Sequence, residues 1–123
     1  LASLRKGLDD TVILLTHGAG KTNAPLGPAT IANGQDVGDA LTTEIMKDAN
    51  ISFAAVGHIH EAGGLAATWD GTAVKAGAWA PQFTVNAGTL ENWTYLDGKE
   101  HHGTAVILTI DGKKAKFEQV ELE

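Results

Sequence analysis

Two short apolar runs stand out in the first half of the chain. Residues 11–16 (TVILLT) and 51–56 (ISFAAV) are continuous rather than alternating, as is typical of strands buried in a parallel sheet. Between them, residues 21–35 are rich in Gly, Pro, Asn and Ala, and they predict a long loop. The two runs therefore predict adjacent strands whose carboxyl ends meet at one edge of a sheet, where ligands bind in such folds.

A helix is predicted between the loop and the second strand. Asp36 has the position of an N-cap, and Asp39 follows three residues later as in a capping box. Val37, Leu41 and Ile45 are spaced by four residues, so they predict one buried stripe on this helix.

The second half of the chain is rich in predicted strands. Three Asp-Gly pairs punctuate it, and Asp-Gly between extended runs is a strong signal for a hairpin turn. Residues 104–110 have apolar positions on both faces, which predicts an interior strand. In residues 115–122 the apolar face changes between Phe117 and Val120, which predicts a bulge. The other predicted strands are 65–69, 72–75, 83–86 and 93–96, and the Asp-Gly pairs begin at Asp70, Asp97 and Asp111.

The length and composition indicate one globular domain. The chain has 123 residues, of which 43% are apolar and 20% charged, and this balance is ordinary for a protein with a genuine core. It contains no cysteine, so disulfides and thiolate metal sites are excluded. No apolar run is long enough to span a bilayer, and no signal-peptide pattern opens the chain. We predict a single α/β (α+β) domain over residues 1–123, β-rich with one main helix, with no membrane partner and a cytoplasmic location.

The formal charge of the chain bears on whether it binds phosphate groups or nucleic acid. The chain carries 15 acidic and 9 basic residues, which gives a net charge of −6. An acidic surface does not attract phosphate groups, so a phosphate-ester substrate would depend on bound cations for most of its attraction. The balance does not support a nucleic-acid partner for the chain by itself.

Three histidines follow the two apolar runs. His17 comes directly after the first run, and His58 and His60 follow the second. Side chains at positions i and i+2 of an extended segment point the same way, so His58 and His60 can converge on one metal or straddle two. Three imidazoles at one sheet edge suit Zn, Mn or Fe and leave open positions for water. The pattern predicts a metal site at His17, His58 and His60, and unrelated strand-end histidines are the alternative interpretation.

Residues 18–22 (GAGKT) match only the end of a phosphate-binding loop. The full pattern requires a glycine at the position of Leu15 and a helix directly after the Lys-Thr pair. Pro25 and Pro28 forbid that helix. A glycine-rich turn that lets the backbone approach the site is therefore the favoured interpretation.

The remaining candidate side chains favour structural roles. His101 and His102 are adjacent, so on a strand they point in opposite directions, and exposed loop histidines are the favoured interpretation. Four aromatic residues can form a substrate platform, but packing within strands is favoured. The acidic C-terminus predicts a solvated edge strand. The aromatic residues are Trp69, Trp79, Trp93 and Tyr95, and the acidic ones are Glu118, Glu121 and Glu123.

Three sequence blocks occur in a consistent order along the chain. They are residues 11–18 (TVILLTHG), 55–60 (AVGHIH) and 85–89 (VNAGT). Together they resemble the C-terminal half of calcineurin-like metallophosphoesterases: a strand ending in a metal-binding histidine, a Gly-His-x-His motif and an Asn-x-Gly-Ser/Thr element. The resemblance runs over essentially the whole chain and implies half of a layered β-sandwich with a metal site at the strand ends.

The resemblance also implies an activity. His17 and His58 would hold one divalent metal ion and His60 a second, with Mn, Zn or Fe as the candidates. Metals about 3.5–4 Å apart would share a hydroxide that attacks the phosphorus of a phosphate mono- or diester. Histidine would not act as a nucleophile.

The N-terminal blocks of that family do not precede the first matched block in this sequence. They are an Asp-x-His and a Gly-Asn-His, neither of which occurs anywhere in the chain, and a Gly-Asp that supplies the bridging aspartate, which does not occur before residue 11. In addition, Gly-Ala-Gly follows His17 where many members have a proline nearby, and the chain begins at Leu1 rather than Met. We expect an upstream segment or a partner chain to complete the metal site, and we expect this chain alone to have little or no activity.

The sequence leaves the substrate and the class of protein open. The Gly-His-Ile-His block and residues 87–93 resemble the SbcD-like DNA repair nuclease branch, so a nuclease and a small-molecule phosphodiesterase are both candidates. The alternative from another class is a non-catalytic interaction domain that keeps a phosphoesterase-like fold. A structural metal module, whose fold would melt on metal removal, is a third hypothesis.

Overall fold

The computed structural model describes residues 11–22 and 24–122. Glu123 of the predicted acidic edge strand lies outside these ranges. The described chain is mixed α+β and β-rich with one α-helix, as the sequence predicts, and it contains eight strands. Within the same ranges, no helix has both the length and the apolar character needed to cross a membrane.

A four-stranded sheet lies at the centre of the molecule. β1 (Ile13–Leu15), β2 (Phe53–Val56) and β4 (Phe83–Asn86) are parallel neighbours, and β3 (Ala66–Ala67) pairs antiparallel with β4. The strand order is therefore β1-β2-β4-β3. This confirms that the two apolar runs form adjacent parallel strands, so their carboxyl ends meet at one edge of the sheet.

Two antiparallel hairpins follow the sheet in the sequence. β5 (Trp93–Thr94) pairs with β6 (Glu100–His101), and β7 (Thr104–Asp111) pairs with β8 (Lys114–Glu121). The Asp97-Gly98 pair lies in the first connection, and Asp111 ends β7 with Gly112 in the second, and both glycines adopt a positive φ. The two hairpins confirm the turn prediction at both positions.

The third Asp-Gly pair also forms a turn. The Asp70 carboxylate accepts hydrogen bonds from the Thr68 hydroxyl and, at 3.1 Å, from the Thr72 N–H. These bonds hold the pKa of the Asp70 carboxyl below its ordinary value. They therefore stabilise the turn at pH values above the unfolded-state pKa, and this contribution is lost as the pH falls through the folded-state pKa. The predicted strand at residues 72–75 is wrong, because the chain after the turn makes only an isolated bridge to β3.

The central sheet separates two apolar cores. One face packs against helix α1 (Ala40–Asp48) and the long loop before it, and the other face packs against β7 and β8. The molecule therefore has three layers: helix and loop, sheet, and hairpin. The first core contains Ala19, Ala29, Met46, Ala49, Ile51, Ala54 and Val56, and the second contains Phe53, Ala66, Phe83, Val85, Ala115 and Phe117.

Helix α1 begins later than the sequence predicts. Its N-cap is Asp39, whose carboxylate accepts a hydrogen bond from the Leu41 N–H at 2.9 Å. The predicted cap, Asp36, instead accepts hydrogen bonds from the N–H groups of Thr22 and Gly38 in the long loop. Both aspartates offer the same capping chemistry, and the tertiary contact with Thr22 decides between them.

The predicted stripe on this helix is wrong for two of its three residues. Val37 precedes the helix and Leu41 is 60% exposed, whereas Thr43 and Met46 are buried. Gly20 gives the reason, because a Cβ atom at this position would lie 2.4 Å from the Thr43 hydroxyl oxygen. The missing side chain lets the Thr43 face of the helix approach the loop.

β1 is an edge strand with one face uncovered by the described residues. Leu15 is 82% exposed, although Leu14 packs against the first core. The continuous apolar run at residues 11–16 predicts burial on both faces, and this prediction is wrong for the described chain. Alternation of exposed and half-buried positions in β1 follows from the period of two in a strand.

The β7–β8 hairpin differs from its prediction in two respects. β7 is predicted to be an interior strand, but it pairs with β8 alone among the described residues, and Ile107 is 53% exposed. The bulge predicted between Phe117 and Val120 is wrong, because the pairing runs without interruption along both strands. Val120 simply lies on the outward face, so the apolar pattern changes face without any slip in register.

Strand positions are predicted better than strand lengths. The strand at residues 83–86 has the predicted bounds, whereas those at 65–69 and 93–96 each keep only two paired residues. β6 is absent from the sequence prediction, because its Glu-His pair lacks the β-branched residues that favour strands. The long loop at residues 21–35 is confirmed, and its residues 27–30 are buried against the sheet.

The continuous pairing of β7 and β8 yields a test of which face each residue occupies. We expect Phe117→Ala to lower the free energy of unfolding by about 3–5 kcal/mol, because the ring is buried in the second core. Val120→Ala on the outward face should cost less than about 1 kcal/mol. Urea unfolding of both variants checks this, and equal losses would contradict the uninterrupted register.

Candidate metal site at the sheet edge

The pairing of β1 with β2 places His17 beside the turn that follows β2. The Thr16 N–H donates to the Ala55 carbonyl at 3.3 Å, and the Gly57 N–H donates to the His17 carbonyl at 2.9 Å. The parallel ladder therefore continues past the ends of both strands. As a result, the side chains of His17 and His58 leave the backbone at the same edge of the sheet.

The two imidazoles contact each other directly. His17 Nε2 lies 2.8 Å from His58 Nδ1, and the ring centroids are 4.6 Å apart with an edge-to-face angle of 61°. In this hydrogen bond one ring nitrogen donates its N–H and the other accepts. Both rings are exposed. The structure therefore brings together two of the three predicted ligands, with a nitrogen of each aimed at the other.

His58 adopts a backbone conformation that side chains rarely take. Its φ is 72°, in the left-handed region, and among the described non-glycine residues only Asn50 shares this feature. Such a conformation costs about 1–2 kcal/mol for a residue with a Cβ atom. The surrounding hydrogen bonds must offset this cost. The left-handed conformation turns the imidazole of His58 towards His17.

Asn86 fixes the turn that follows β2. Its side chain is completely buried, and its amide nitrogen lies 3.1 Å from the carbonyl oxygens of both Gly57 and Ile59. The same nitrogen lies 2.8 Å from the Pro28 carbonyl, and the amide oxygen accepts from the Gly88 N–H at 2.7 Å. One side chain therefore joins the end of β4, the histidine turn and the long loop.

Gly88 allows the close packing behind this turn. Its φ is 79°, and a Cβ atom there would lie 2.2 Å from the Thr104 hydroxyl oxygen. That hydroxyl donates to the Ala87 carbonyl at 2.9 Å. The Asn-x-Gly element thus combines an amide that ties three segments together with a position where only glycine fits.

His60 lies at the same sheet edge but apart from the histidine pair. It begins a short 3₁₀ helix (His60–Ala62), and its ring centroid is 5.7 Å from that of Trp93. Trp93 in turn stacks on His101, at 4.5 Å between centroids and 18° between planes. In residues 11–22 and 24–122, no group of three or more His, Cys, Asp or Glu side chains is close enough to hold a metal ion.

The histidine pair fits a metal ion as two of its ligands. Zn–N bonds of about 2.0–2.1 Å in a tetrahedral site put two ligand nitrogens about 3.3 Å apart. The separation between His17 Nε2 and His58 Nδ1 is 2.8 Å, so the two exposed rings would need to separate by about half an ångström and to rotate until both nitrogens face the metal. The donor set is purely imidazole, which suits Zn, Mn or Fe.

The glycine-rich residues 18–22 follow a bend at His17 and Gly18, and Gly20 makes an isolated bridge to Asp39. Among the described residues no helix follows until Ala40, and the Thr22 N–H donates to the Asp36 carboxylate at 3.2 Å. A Cβ atom at Gly18 would meet nothing within 4 Å. This segment therefore leaves open space at Gly18 only, and the described residues lack the helix that a nucleotide phosphate loop requires directly after Lys21-Thr22.

The aromatic cluster beside His60 is the feature that sequence analysis missed. His101 is exposed, as predicted, but it lies in β6 and stacks on Trp93 rather than in a loop. The signal was available, because the Asp97-Gly98 turn sets a register in which Trp93 and His101 are opposite. Side chains directly opposite on an antiparallel pair are neighbours.

Comparison of the chain with models of known protein families, with curated proteins and with solved structures gave no match. The geometry of the site is therefore the basis for a functional assignment.

The burial of Asn86 predicts a large effect from a change that keeps its shape. Asn86→Asp removes the amide N–H groups that donate hydrogen bonds to the three carbonyls. We therefore expect a loss of at least about 3 kcal/mol in the free energy of unfolding at neutral pH. Thr84→Val is the control, because Thr84 is also buried in β4 but its hydroxyl donates only a long hydrogen bond, to the Met46 sulfur at 4.0 Å. Similar stabilities for the two variants in urea unfolding would show that Asn86 does not secure the turn.

The backbone of His58 can be tested separately from its imidazole. His58→Gly and His58→Ala both remove the ring, and we expect the glycine variant to be more stable by about 1 kcal/mol because φ is positive. The same pair of substitutions at Glu44, inside α1, should show the opposite order by about 1 kcal/mol. The same order at both positions would contradict the left-handed conformation of His58.

Proposed function

We propose that this chain supplies the histidine half of the active site of a metal-dependent phosphoesterase. His17 and His58 would together hold one divalent metal ion, and His60 would contribute to a second. Mn, Zn or Fe would suit these ligands. The substrate class is a phosphate mono- or diester, and a nuclease activity falls within it.

The contact between His17 and His58 carries this proposal. Two exposed imidazoles from separate strands meet nitrogen to nitrogen at 2.8 Å, at the carboxyl edge of a parallel sheet. Exposed side chains do not need such a contact for folding, and one of them occupies a strained backbone conformation to make it. An arrangement of this kind is typical of a functional site rather than of core packing.

The bound metal would polarise a phosphoryl oxygen and generate a hydroxide at neutral pH. The chain's own contribution is to position the ligands. Asn86 holds the backbone on both sides of His58, so the imidazole is aimed before any ligand binds. The acidic surface of the chain makes such a cation the main source of attraction for a phosphate ester.

We further propose that the layered arrangement is half of a calcineurin-like β-sandwich. The three sequence blocks of the resemblance fall on β1, on the end of β2 and on the end of β4, and these are neighbouring strands. The bridging carboxylate that the resemblance implies has no counterpart beside the histidines in the described residues. We therefore expect little or no activity from this chain without an upstream segment or a partner chain that supplies it.

The alternative is a non-catalytic interaction domain. The observation that favours it is the exposure of large apolar side chains, including Leu15 at 82% and Leu96 at 89%. Such side chains suit a contact with another protein surface. Stoichiometric binding of a divalent metal by the native protein would count against this alternative.

The decisive test uses His58→Ala in the complete protein that contains this chain. We expect loss of bound Mn or Zn, and a fall of at least about hundredfold in hydrolysis of nitrophenyl phosphate mono- and diesters. A metal at a phosphoryl group is worth several kcal/mol, and each 1.4 kcal/mol is about tenfold in rate. Metal content by mass spectrometry and the release of nitrophenol are the measurements.

Asn50→Ala is the matched control for this variant. Asn50 is exposed and has a φ of 54°, so alanine introduces the same kind of backbone strain without removing an imidazole. The control should keep both metal and activity. A His58→Ala protein that retains both would refute the proposed function.

A further inference from the structure

A cavity adjoins the histidine edge on the side of His60. Its volume is about 410 Å³, and it lies between the β5–β6 hairpin, the 3₁₀ helix and the adjoining ends of β7 and β8. A smaller cavity of about 230 Å³ is lined by His58, His60, Trp93 and Tyr95. His60, Trp93 and Tyr95 line both cavities, so the larger one is next to the proposed metal site.

Aromatic rings form one side of the larger cavity. Trp93 makes edge-to-face contacts with His60 and with Tyr95, each at 5.7 Å between centroids, and it stacks on His101. Tyr95 and His101 are nearly perpendicular, at 80°. We name this cavity, lined by these four rings, the aromatic pocket. Aromatic rings that line a cavity can hold an ammonium group there through cation–π attraction.

Carboxylates form the other side of the aromatic pocket. Glu61 lies on the 3₁₀ helix, Glu100 on β6 and Glu121 on β8, and all three line the cavity. Among the described residues, no lysine or arginine lines it. None of the three carboxylates forms an ion pair or a side-chain hydrogen bond with another described residue. With histidine counted as neutral, the pocket therefore carries only negative formal charge.

The aromatic rings and the carboxylates together indicate which kind of ligand the pocket can bind. An anionic group such as a second phosphate would be repelled by the glutamates, which argues against a nucleic-acid strand here. An organic cation satisfies both sides, since its charge faces the carboxylates and its alkyl groups contact the rings.

We propose that the aromatic pocket binds the ammonium group of an amino alcohol, such as a choline or ethanolamine moiety. This assignment deepens the proposed function and rests on it for its role: the phosphate would lie at the histidine edge and the ammonium group in the adjoining pocket. The substrate class then narrows to phosphate esters of amino alcohols.

The first experiment measures binding to the metal-free protein, where no hydrolysis is needed. Choline is titrated while the indole N–H signals of Trp93, Trp69 and Trp79 are followed by NMR. We expect a saturable shift of the Trp93 signal alone, because the other two indoles do not line the pocket. Dimethylbutanol, the uncharged carbon analogue of choline, should bind at least about tenfold more weakly, which is within the strength of a cation–π contact. Equal binding of the two compounds, or no shift of Trp93, would overturn the proposal.

Conservative variants test the two sides of the pocket. Trp93→Leu should abolish the binding of choline, and Trp79→Leu is its control outside the pocket. Because Trp93→Leu can also disturb the hairpin, Glu61→Gln provides a second test with no change in shape at an exposed position. We expect Glu61→Gln to weaken choline binding several-fold and Glu44→Gln, on α1, to leave it unchanged. Unchanged binding in Glu61→Gln would contradict the role of the carboxylates.

Hydrolysis by the complete protein then separates this inference from the proposed function. We expect the nitrophenyl ester of phosphocholine to have a kcat/KM at least about tenfold above that of the dimethylbutyl ester. Choline binding without hydrolysis of any phosphate ester would support the pocket and refute the proposed function. Hydrolysis without choline binding would support the proposed function and overturn the pocket.

Discussion

The hydrogen bonds of one buried amide, that of Asn86, hold the histidine-bearing edge of the sheet in place. The amide reaches carbonyl groups on both sides of His58 and a third one in the long loop. Segments that are far apart in the sequence are thereby joined at one side chain. Without Asn86 these carbonyl groups would lose a hydrogen-bond donor inside the protein, which is unfavourable. The strained backbone of His58 is tolerated only because its neighbours are secured in this way.

The topology places the imidazole pair and the aromatic rings at different positions along the sheet edge. Parallel strands bring the imidazoles of His17 and His58 together at the sheet edge, whereas the β5–β6 hairpin brings aromatic rings beside His60. Carboxylates from three separate elements face those rings. The imidazole pair and the carboxylates therefore lie in adjoining regions. The proposed substrate, with a phosphate group next to a cationic group, would match this arrangement.

The sequence predicts the parts of the fold that depend on strong local patterns. The parallel pairing of the two apolar runs, the strand at residues 83–86 and the Asp-Gly turns are confirmed, because apolar continuity and left-handed glycines leave few alternatives. The start of α1 could not be predicted, since Asp36 and Asp39 are equivalent caps until the contact with Thr22 is known. The exposure of Leu15 and Ile107 likewise depends on which elements cover each face, and periodicity carries no such information.

Prediction of the site from the sequence is likewise limited by tertiary contacts. The placement of His17 beside His58 follows from two strand ends and was predictable, but the role of Asn86 needs three carbonyls that are known only from the fold. The pairing of Trp93 with His101 is different, because the Asp97-Gly98 turn indicates its register, although the second strand of the hairpin has no strand-like residues. Tertiary contacts of this kind decide which polar residues are functional.

The most direct test of the metal site is anomalous X-ray diffraction from crystals of the protein grown with Mn or Zn. We predict an anomalous peak within bonding distance of His17 Nε2 and His58 Nδ1, with the two nitrogens moved apart from their present 2.8 Å. An intact hydrogen bond between the two histidines in the presence of excess metal, with no peak at this edge of the sheet, would contradict the assignment.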